Sequence, residues 1–277
     1  MPELPEVEII ARTLRGQIIG QVIEKAEIRW AGSIACPTSG EFEQQLIGSE
    51  IVSVGRRGKY LILGLKPTGY LLVHLRMTGV LHVCDFSDGE KEESSYDHPH
   101  TRVVIHFRSG KMLCFRDQRK FGRMFLVADL QEIAGDLGPE PLADAFTPDM
   151  LGNILRSHHR QLKPLLLDQE RLAGLGNIYV DEALWEARLH PLRQSDSLDR
   201  SIQNRGTTFR DYRDSNNRSG NNQLSLNAYG REGKPCPRCG HEIARIKVAQ
   251  RSSYFCPVCQ PAPDSQPTGG ALAHPGH

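Results

Sequence analysis

The 277-residue chain has no long hydrophobic run and little net charge. No apolar stretch has the length that a membrane-spanning helix needs. The first residues are acidic and lack an apolar core segment, which excludes a secretory signal peptide. The formal net charge is only +1, so bulk charge does not indicate a nucleic-acid partner. We therefore expect a globular cytoplasmic protein.

The local distribution of charge is less even than the total. Residues 200–259 carry 11 Lys and Arg against 4 Asp and Glu, whereas residues 85–97 carry 6 acids and one lysine. A basic C-terminal third is suited to contact phosphate. The acidic stretch is predicted to be a solvated loop.

Seven cysteines without a secretion signal favour metal binding over disulfide bonds. Four of them form two Cys-x2-Cys pairs separated by 16 residues: Cys236, Cys239, Cys256 and Cys259. This spacing predicts four thiolates around one structural Zn²⁺, since a redox dithiol would need only one pair. The other three show no ligand spacing and are expected to be ordinary buried or half-buried thiols: Cys36, Cys84 and Cys114.

The order of apolar patterns predicts an α+β multidomain protein. Short segments rich in Val, Ile, Leu and Tyr alternate with glycine-containing turns up to about residue 130, which is typical of an antiparallel β-sandwich. Helical periods follow, and the cysteine pairs flank a β-hairpin. We predict an N-terminal β-sandwich domain with an N-terminal helix at 1–134, a helical domain at 135–228, a zinc finger at 229–260 and a disordered tail at 261–277.

The first six residues offer an unusual nucleophile. Met1 is normally trimmed before so small a residue as Pro2, and trimming would leave a secondary amine at the terminus. An α-amine has a pKa of about 8, so part of it is neutral near pH 7. Apolar residues with helical spacing follow, and Gly16 ends the pattern: Val7, Ile10, Ala11 and Leu14. The alternative is that Pro5 simply begins a helix with acids in its first turn.

Two glycines precede a further predicted helix. Gly174 and Gly176 lie just before residues 178–187, which have a helical pattern. A third glycine and a preceding strand are missing, so a dinucleotide fingerprint is excluded. The backbone N–H groups of these glycines are expected to be open to a phosphate.

Four motifs in this order carry a resemblance to a known family: Pro2-Glu3, residues 174–182, Tyr229-Gly230-Arg231 and the paired cysteines. Together they resemble the formamidopyrimidine-DNA glycosylase family, bacterial enzymes that excise oxidised purines. The resemblance covers nearly the whole chain except the tail. It implies that the helical domain is a helix–two-turn–helix unit, and Leu4 fits the oxidised-purine branch.

The resemblance implies a catalytic set. Pro2 would attack the deoxyribose C1′ and form a Schiff base, and Glu3 would act as the general acid on the sugar ring oxygen. Glu6 would help to set the geometry of Glu3, and Lys59 would assist strand cleavage near the scissile phosphate. The resemblance also places Arg251, on the zinc hairpin, in this catalytic set. A lysine at a hairpin turn is otherwise usually only solvated.

The resemblance also implies DNA contacts. Six residues match phosphate-contacting or catalytic positions: His98, Arg119, Arg160, Lys163, Asn177 and Arg231. Met77, Arg119 and Phe121 match the side chains that fill the space left by the extruded base, although Met and Phe at strand ends usually belong to a core. Flipping a base loses a few kcal/mol of stacking, which inserted side chains partly restore.

One departure from the family pattern affects the expected function. Most of the second helix of the helix–two-turn–helix unit is missing after residue 200. The predicted function is excision of oxidised purines from double-stranded DNA, followed by β,δ-elimination at the abasic site, by a monomer that associates with the nucleoid. The alternatives are a catalytically impaired zinc-ribbon DNA-binding relic and a relative that prefers oxidised pyrimidines.

Overall fold

The computed structural model describes residues 2–67, 69–84, 97–198 and 226–263. Within these residues, no helix has both the length and the hydropathy needed to cross a membrane. The shortened helical stretch expected after residue 200 lies outside the described residues, as do most of the acidic stretch at 85–97 and nearly all of the tail.

The described residues form two compact units. The first contains the chain up to Phe146 together with Leu167–Gly176, and the second contains Thr147–Leu166 and the described chain from Asn177 onward. The predicted domain boundaries remain predictions. The compact units divide the chain at Phe146 rather than at residue 134, and residues 167–176 return to the first unit.

The first unit contains three helices and nine strands in the described residues. In chain order these are α1 (Leu4–Ile18), β1 (Ile23–Ile28), β2 (Ile34–Cys36), α2 (Ser39–Leu46), β3 (Glu50–Arg57), β4 (Tyr60–Lys66), β5 (Gly69–His74), β6 (Gly79–Cys84), β7 (Thr101–Phe107), β8 (Met112–Asp117), β9 (Arg123–Val127) and α3 (Gln131–Ala134). A short 3-10 turn, Ala31–Ser33, precedes β2.

Two sheets form the predicted sandwich. One has the strand order β1-β7-β8-β6 and the other β2-β9-β5-β4-β3. Their pairings are antiparallel except that β2 runs parallel to β9. Alternate side chains of both sheets enter one core, which includes Leu63, Leu113 and Phe115. The helices α1 and α2 contribute Val7 and Phe42 to the same core.

Helix α1 is held to the sandwich by its apolar stripe. Its buried residues recur at helical spacing: Leu4, Val7, Ala11, Leu14 and Ile18. The helix continues two residues beyond the predicted end at Gly16, because Ile18 still packs into the core. The start of the helix therefore has a fixed position, which a frayed terminus would not have.

Helix α2 was not expected from the apolar pattern, although its start signal is present in the sequence. Thr38 and Glu41 form a capping box, in which each side chain accepts a hydrogen bond from the other residue's backbone N–H. Phe42 and Leu46 bury the apolar face of this short helix.

The second unit combines short helices with the zinc hairpin. Its elements are α4 (Pro148–Arg156), α5 (Leu162–Leu166), α6 (Asn177–Glu186), β10 (Ala244–Val248) and β11 (Arg251–Phe255). Trp185 of α6 packs with Ile243, Cys236 and Cys256 in a small core. Glu182 of α6 accepts backbone hydrogen bonds from Asn227, Ala228 and Tyr229, so the helix also anchors the segment that precedes the hairpin.

Candidate active site and DNA-contacting surface

Glu3 is a buried carboxylate at the start of α1. It is only 1% exposed, and its Oε2 atom accepts a hydrogen bond of 2.9 Å from the backbone N–H of Gly176. Its own backbone N–H donates to Glu6 Oε2 at 2.9 Å, so Glu6 holds the turn that contains Glu3. Pro2, half-buried, directly precedes this fixed carboxylate. Pro2, Glu3 and Glu6 are the predicted nucleophile, general acid and residue that sets the geometry of that acid. All three therefore lie at the start of α1.

The loop at residues 173–176 requires glycine at two positions. A Cβ atom on Gly176 would overlap the Glu3 carboxyl group, and a Cβ atom on Gly174 would overlap the Leu4 side chain. Gly174 also has a φ of +93°, which disfavours other residues. Its N–H donates to Gln169 Oε1 at 3.0 Å. The expectation that these two N–H groups are open to phosphate is wrong, because protein oxygens already accept from both.

Lys59 lies in the tight turn between β3 and β4 and is 8% exposed. The turn is held by Glu140, whose carboxylate accepts from the Gly58 N–H and from Arg56 at 2.6 Å. Arg57 donates to the carbonyl oxygen of Gly138 at 2.8 Å. Segment 137–140 therefore clamps the turn and limits the positions that Lys59 can reach.

His74 lies beside this turn as a buried base. It pairs with Tyr60 across β4 and β5, with the two rings in edge contact at 4.8 Å, and its Nδ1 accepts from the Arg76 N–H. Burial, followed by the charges of Arg76 and Lys59, lowers the pKa of His74 from 6.5 to about 3. The imidazole is therefore neutral at physiological pH.

Replacing His74 with Gln should make folding less sensitive to acid. The unfolded chain takes up a proton on this histidine below pH 6.5, but the folded chain does so only near pH 3. Stability is therefore lost as the pH falls through this window, by about 2 kcal/mol at about pH 5. Urea unfolding at about pH 8 and pH 5 should show this extra loss in the wild type and not in His74→Gln.

A matched control for that measurement is His241→Gln, which changes an exposed histidine. It should keep the acid sensitivity of the wild type. Equal pH dependence in all three proteins would show that His74 does not remain neutral in the fold.

Met77, Arg119 and Phe121 meet at the surface of the first unit. Met77 is 47% exposed and Phe121 45% exposed, so neither belongs to the core. The Arg119 guanidinium donates to Met77 Sδ at 3.1 Å and lies 4.6 Å from the centre of the Phe121 ring. The three side chains to which the resemblance gives one task are therefore in contact, and they expose apolar surface.

Asp117 organises the loops that carry these three side chains. It is fully buried at the end of β8. Its Oδ1 accepts from the Thr78 hydroxyl and from the Arg119 N–H at 3.2 Å, and its Oδ2 accepts from the Gly122 N–H at 2.6 Å. A single carboxylate therefore holds both loops.

In the second unit, Lys163 is fully buried. Its Nζ donates to Asp181 Oδ1 at 2.6 Å and to the carbonyl oxygen of Ser252 at 2.8 Å. The Asn177 amide donates to the same carbonyl at 2.9 Å. Asp181 also accepts from the Ser253 hydroxyl and the Tyr254 N–H. Two of the predicted DNA-contacting residues thus hold the backbone beside Arg251.

The desolvation of Asp181 is only partly compensated. Burial raises its pKa to about 6, although Lys163, Tyr254 and Ser253 all stabilise the charged form. The carboxylate thus depends on its partners to remain ionised.

The other predicted DNA-contacting residues are at or near the surface. Arg160 and Arg251 are exposed, while His98 and Arg231 are half-buried. Arg231 donates to the carbonyl oxygen of Pro235 at 3.0 Å, and His98 Nδ1 accepts from the His100 N–H at 3.1 Å. Their roles on DNA remain predictions.

The four paired cysteines form one cluster. Their sulfur atoms all lie within 4.8 Å of one another: Cys236, Cys239, Cys256 and Cys259. Trp185 Nε1 donates to Cys236 Sγ at 3.4 Å, and the Cys259 N–H donates to Cys256 Sγ at 3.4 Å. Four sulfur donors fit a tetrahedral Zn²⁺ and leave no position for a reacting water. The metal would therefore supply structure and no chemistry.

Sequence reasoning missed the carboxylates that position these groups. Asp181 and the adjacent Glu182 lie between the apolar residues of α6, which is a signal that these acids are buried with partners. Glu140 and Asp117 gave no such signal, because their partners lie 82 and 39 residues away in the chain.

Three protein-family models match the chain in the order of its motifs. The formamidopyrimidine-DNA glycosylase N-terminal domain matches residues 1–124, and the H2TH (helix–two-turn–helix) domain of the same enzymes matches residues 137–205. A zinc finger found in FPG and IleRS matches residues 233–262, which contain all four clustered cysteines. The predicted structural zinc is confirmed.

Curated relatives and solved structures are similar over almost the full chain. The formamidopyrimidine-DNA glycosylase of Pelotomaculum thermopropionicum is 45% identical over 280 residues, covering 94% of this chain and 99% of the relative. That of Heliobacterium modesticaldum is 46% identical over 281 residues, covering 94% and 100%. The Lactococcus lactis Fpg in complex with abasic-site DNA has a TM-score of 0.83 and 34% identity, covering 94% of this chain and 100% of that one. The chain belongs to the formamidopyrimidine-DNA glycosylase family.

Proposed function

We propose that this protein removes oxidised purines, such as 8-oxoguanine and formamidopyrimidines, from double-stranded DNA and then nicks the abasic site. The observation that carries the proposal is the buried Glu3 carboxylate, held by Gly176 directly after Pro2. Solved structures similar to this chain contain Lactococcus lactis Fpg with Fapy-dG DNA and MutM with DNA that contains a carbocyclic 8-oxo-G.

The chemistry divides between residues of the α1 terminus and the β3–β4 turn. With Met1 removed, the Pro2 secondary amine attacks C1′ of the damaged nucleotide, the glycosidic bond breaks, and the damaged base leaves. Glu3 delivers a proton to the sugar ring oxygen, the bond from C1′ to that oxygen breaks, and loss of the amine proton leaves a cationic imine between Pro2 and C1′. The resulting imine withdraws electrons, which permits β- and δ-elimination of the flanking phosphates. Lys59, restrained by the clamp on its turn, assists strand cleavage.

The DNA contacts divide into two classes. The surface formed by Met77, Arg119 and Phe121 occupies the gap that the extruded base leaves, and its exposed apolar area restores part of the lost stacking. Phosphate is contacted by the other cationic and polar residues: His98, Arg160, Arg231 and Arg251.

Lys163 and Asn177 act on DNA through the hairpin in this proposal. Both donate to the Ser252 carbonyl, so they set the position of Arg251 rather than reaching the phosphate themselves. The zinc site holds the same hairpin in place. The protein acts as a monomer at the nucleoid of the bacterial cytoplasm.

Borohydride trapping on a duplex with one 8-oxoguanine tests the proposal. Reduction of the Schiff base should link DNA covalently to the N-terminal peptide of the wild type. Pro2→Gly should lose most of the linked product, because the flexible glycine no longer fixes the terminal amine beside Glu3, and Lys59→Gln should keep it. Binding of the same duplex is measured in parallel to separate loss of chemistry from loss of affinity.

Two outcomes would contradict the proposal. A cross-link mapped to a lysine peptide would assign the nucleophile elsewhere. Binding without any trapped product would favour the non-catalytic DNA-binding protein. A parallel duplex with an oxidised pyrimidine distinguishes the third possibility, since preferential trapping there would change the substrate and leave the mechanism unchanged.

A further inference from the structure

Two cysteines outside the zinc site are in direct contact. Cys84 ends β6 and Cys114 lies in β8, and their sulfur atoms are 3.0 Å apart. Cys84 is 2% exposed and Cys114 is fully buried. A disulfide bond needs about 2.05 Å between the sulfurs, so they lie about 1 Å from bonding distance.

A histidine and an arginine complete the surroundings of this pair. In the β6–β8 register His82 is directly opposite Cys114, and Cys84 is opposite Met112, so all four side chains share one face of the sheet. The ligand atoms of His82, Cys84 and Cys114 all lie within 4.8 Å of one another. Arg116 Nη2 donates to His82 Nε2 at 3.0 Å. Val104 and Met112 form the apolar remainder of the cluster.

The environment makes the two sulfurs chemically different. The hydrogen bond shared with the Cys114 sulfur, with further help from His82 and Arg116, lowers the pKa of the Cys84 thiol despite its burial. The same shared proton and burial raise the pKa of Cys114. Cys84 is therefore the sulfur of the pair that ionises more readily, and its thiolate is the nucleophile.

The geometry suits a disulfide better than a metal ion. Since a guanidinium only donates, His82 Nε2 accepts from Arg116 and the ring proton lies on Nδ1. A metal would therefore have to displace either Arg116 from Nε2 or the proton from Nδ1. Tetrahedral thiolate sites also separate their sulfurs by about 3.7 Å, as bonds of about 2.3 Å require, so a metal would have to push this pair apart.

A small oxidant can reach the pair by local opening. Strand β6 is at the edge of its sheet, and Cys84 is its last residue. Strand ends at sheet edges open at low free-energy cost compared with the core. Burial in the closed state excludes bulky thiols such as glutathione and leaves Cys114 as the partner within reach.

We propose that Cys84 and Cys114 are a peroxide-oxidised dithiol that forms a reversible disulfide between β6 and β8. The Cys84 thiolate attacks one peroxide oxygen, the O–O bond breaks, and hydroxide leaves, which gives a sulfenic acid at Cys84. The Cys114 sulfur then attacks Cys84, the S–O bond breaks, and water leaves with the Cys114 proton. In total, two thiols and one hydrogen peroxide give one disulfide and two waters, so sulfur loses the two electrons that peroxide gains.

Peptide mass spectrometry of the zinc-loaded full chain tests this proposal. The protein is treated with equimolar hydrogen peroxide, its free thiols are alkylated, and trypsin is added. Peptides 77–91 and 112–116, which contain Cys84 and Cys114, should be recovered as one disulfide-linked species that dithiothreitol separates. The oxidised chain should also melt at a higher temperature than the reduced chain, since the cross-link restricts the unfolded state.

Variants and a metal count provide the controls. Cys84→Ser should lose the linked species, whereas Cys36→Ser, which changes an isolated half-buried cysteine, should keep it. The wild-type measurement stands even if Cys84→Ser folds poorly. Free Cys84 and Cys114 after treatment that oxidises Cys36, or sulfinic acid at Cys84, would overturn the proposal. So would a second zinc ion per chain that Cys84→Ser loses.

Discussion

Replacing Glu3 with Gln should abolish excision of 8-oxoguanine while the protein remains folded. The amide keeps the size of the side chain and an oxygen for the Gly176 N–H, so stability should change by no more than about 1 kcal/mol. It cannot deliver a proton to the sugar ring oxygen, and loss of a positioned general acid costs about 10²–10⁴-fold in rate. Single-turnover cleavage of an 8-oxoguanine duplex measures this loss.

The same variant should lose less activity on DNA with a preformed abasic site. An abasic sugar is already in equilibrium with its open aldehyde, so Pro2 can attack without protonation of the ring by the enzyme. Glu24→Gln, which changes an exposed acid on β1, is the control and should cleave both substrates at the wild-type rate. Wild-type excision by Glu3→Gln would remove Glu3 from the mechanism.

Replacing Asp181 with Ala should destabilise the second unit by about 3–5 kcal/mol, a large part of the 5–15 kcal/mol that is typical of a domain. The substitution leaves the Lys163 ammonium buried beside Ser252 and removes the acceptor of the Ser253 hydroxyl and the Tyr254 N–H. Urea unfolding with zinc present measures the loss. In a Trp30→Phe background, Trp185 is the only tryptophan and reports on this unit.

A double variant separates the buried charge from the lost packing. Lys163→Met with Asp181→Asn removes both charges and keeps an acceptor for the Tyr254 N–H, so most of the stability should return. The control is Glu186→Ala, which changes another acid of α6. Glu186 is 43% exposed and forms an ion pair with Arg238, so its loss should cost at most about 1 kcal/mol. Equal losses of unfolding free energy in Asp181→Ala and Glu186→Ala would show that the buried Lys163–Asp181 pair contributes no more to stability than the exposed one.

The outcome of the sequence predictions differs between the zinc site and the glycine loop. The four cysteines were identified because a tetrahedral thiolate site requires its ligands in two close pairs, and that requirement is local in sequence. The N–H groups of Gly174 and Gly176 were assigned to phosphate for an equally local reason. Their acceptors, Gln169 and Glu3, are brought there by the return of the chain to the first unit.

By itself the sequence determined the β-sandwich, the α1 helix and the zinc site, because periodicity and ligand spacing act over short stretches. The roles of Pro2, Glu3 and Lys59 were implied by the family resemblance and remain predictions. Tertiary structure alone decided how those groups are held. Glu140 restrains the turn of Lys59, Asp117 joins two loops, and Cys84 meets Cys114 because distant segments pack together. Buried polar groups must find partners wherever the fold brings them, and no local pattern in the chain records which partner that is.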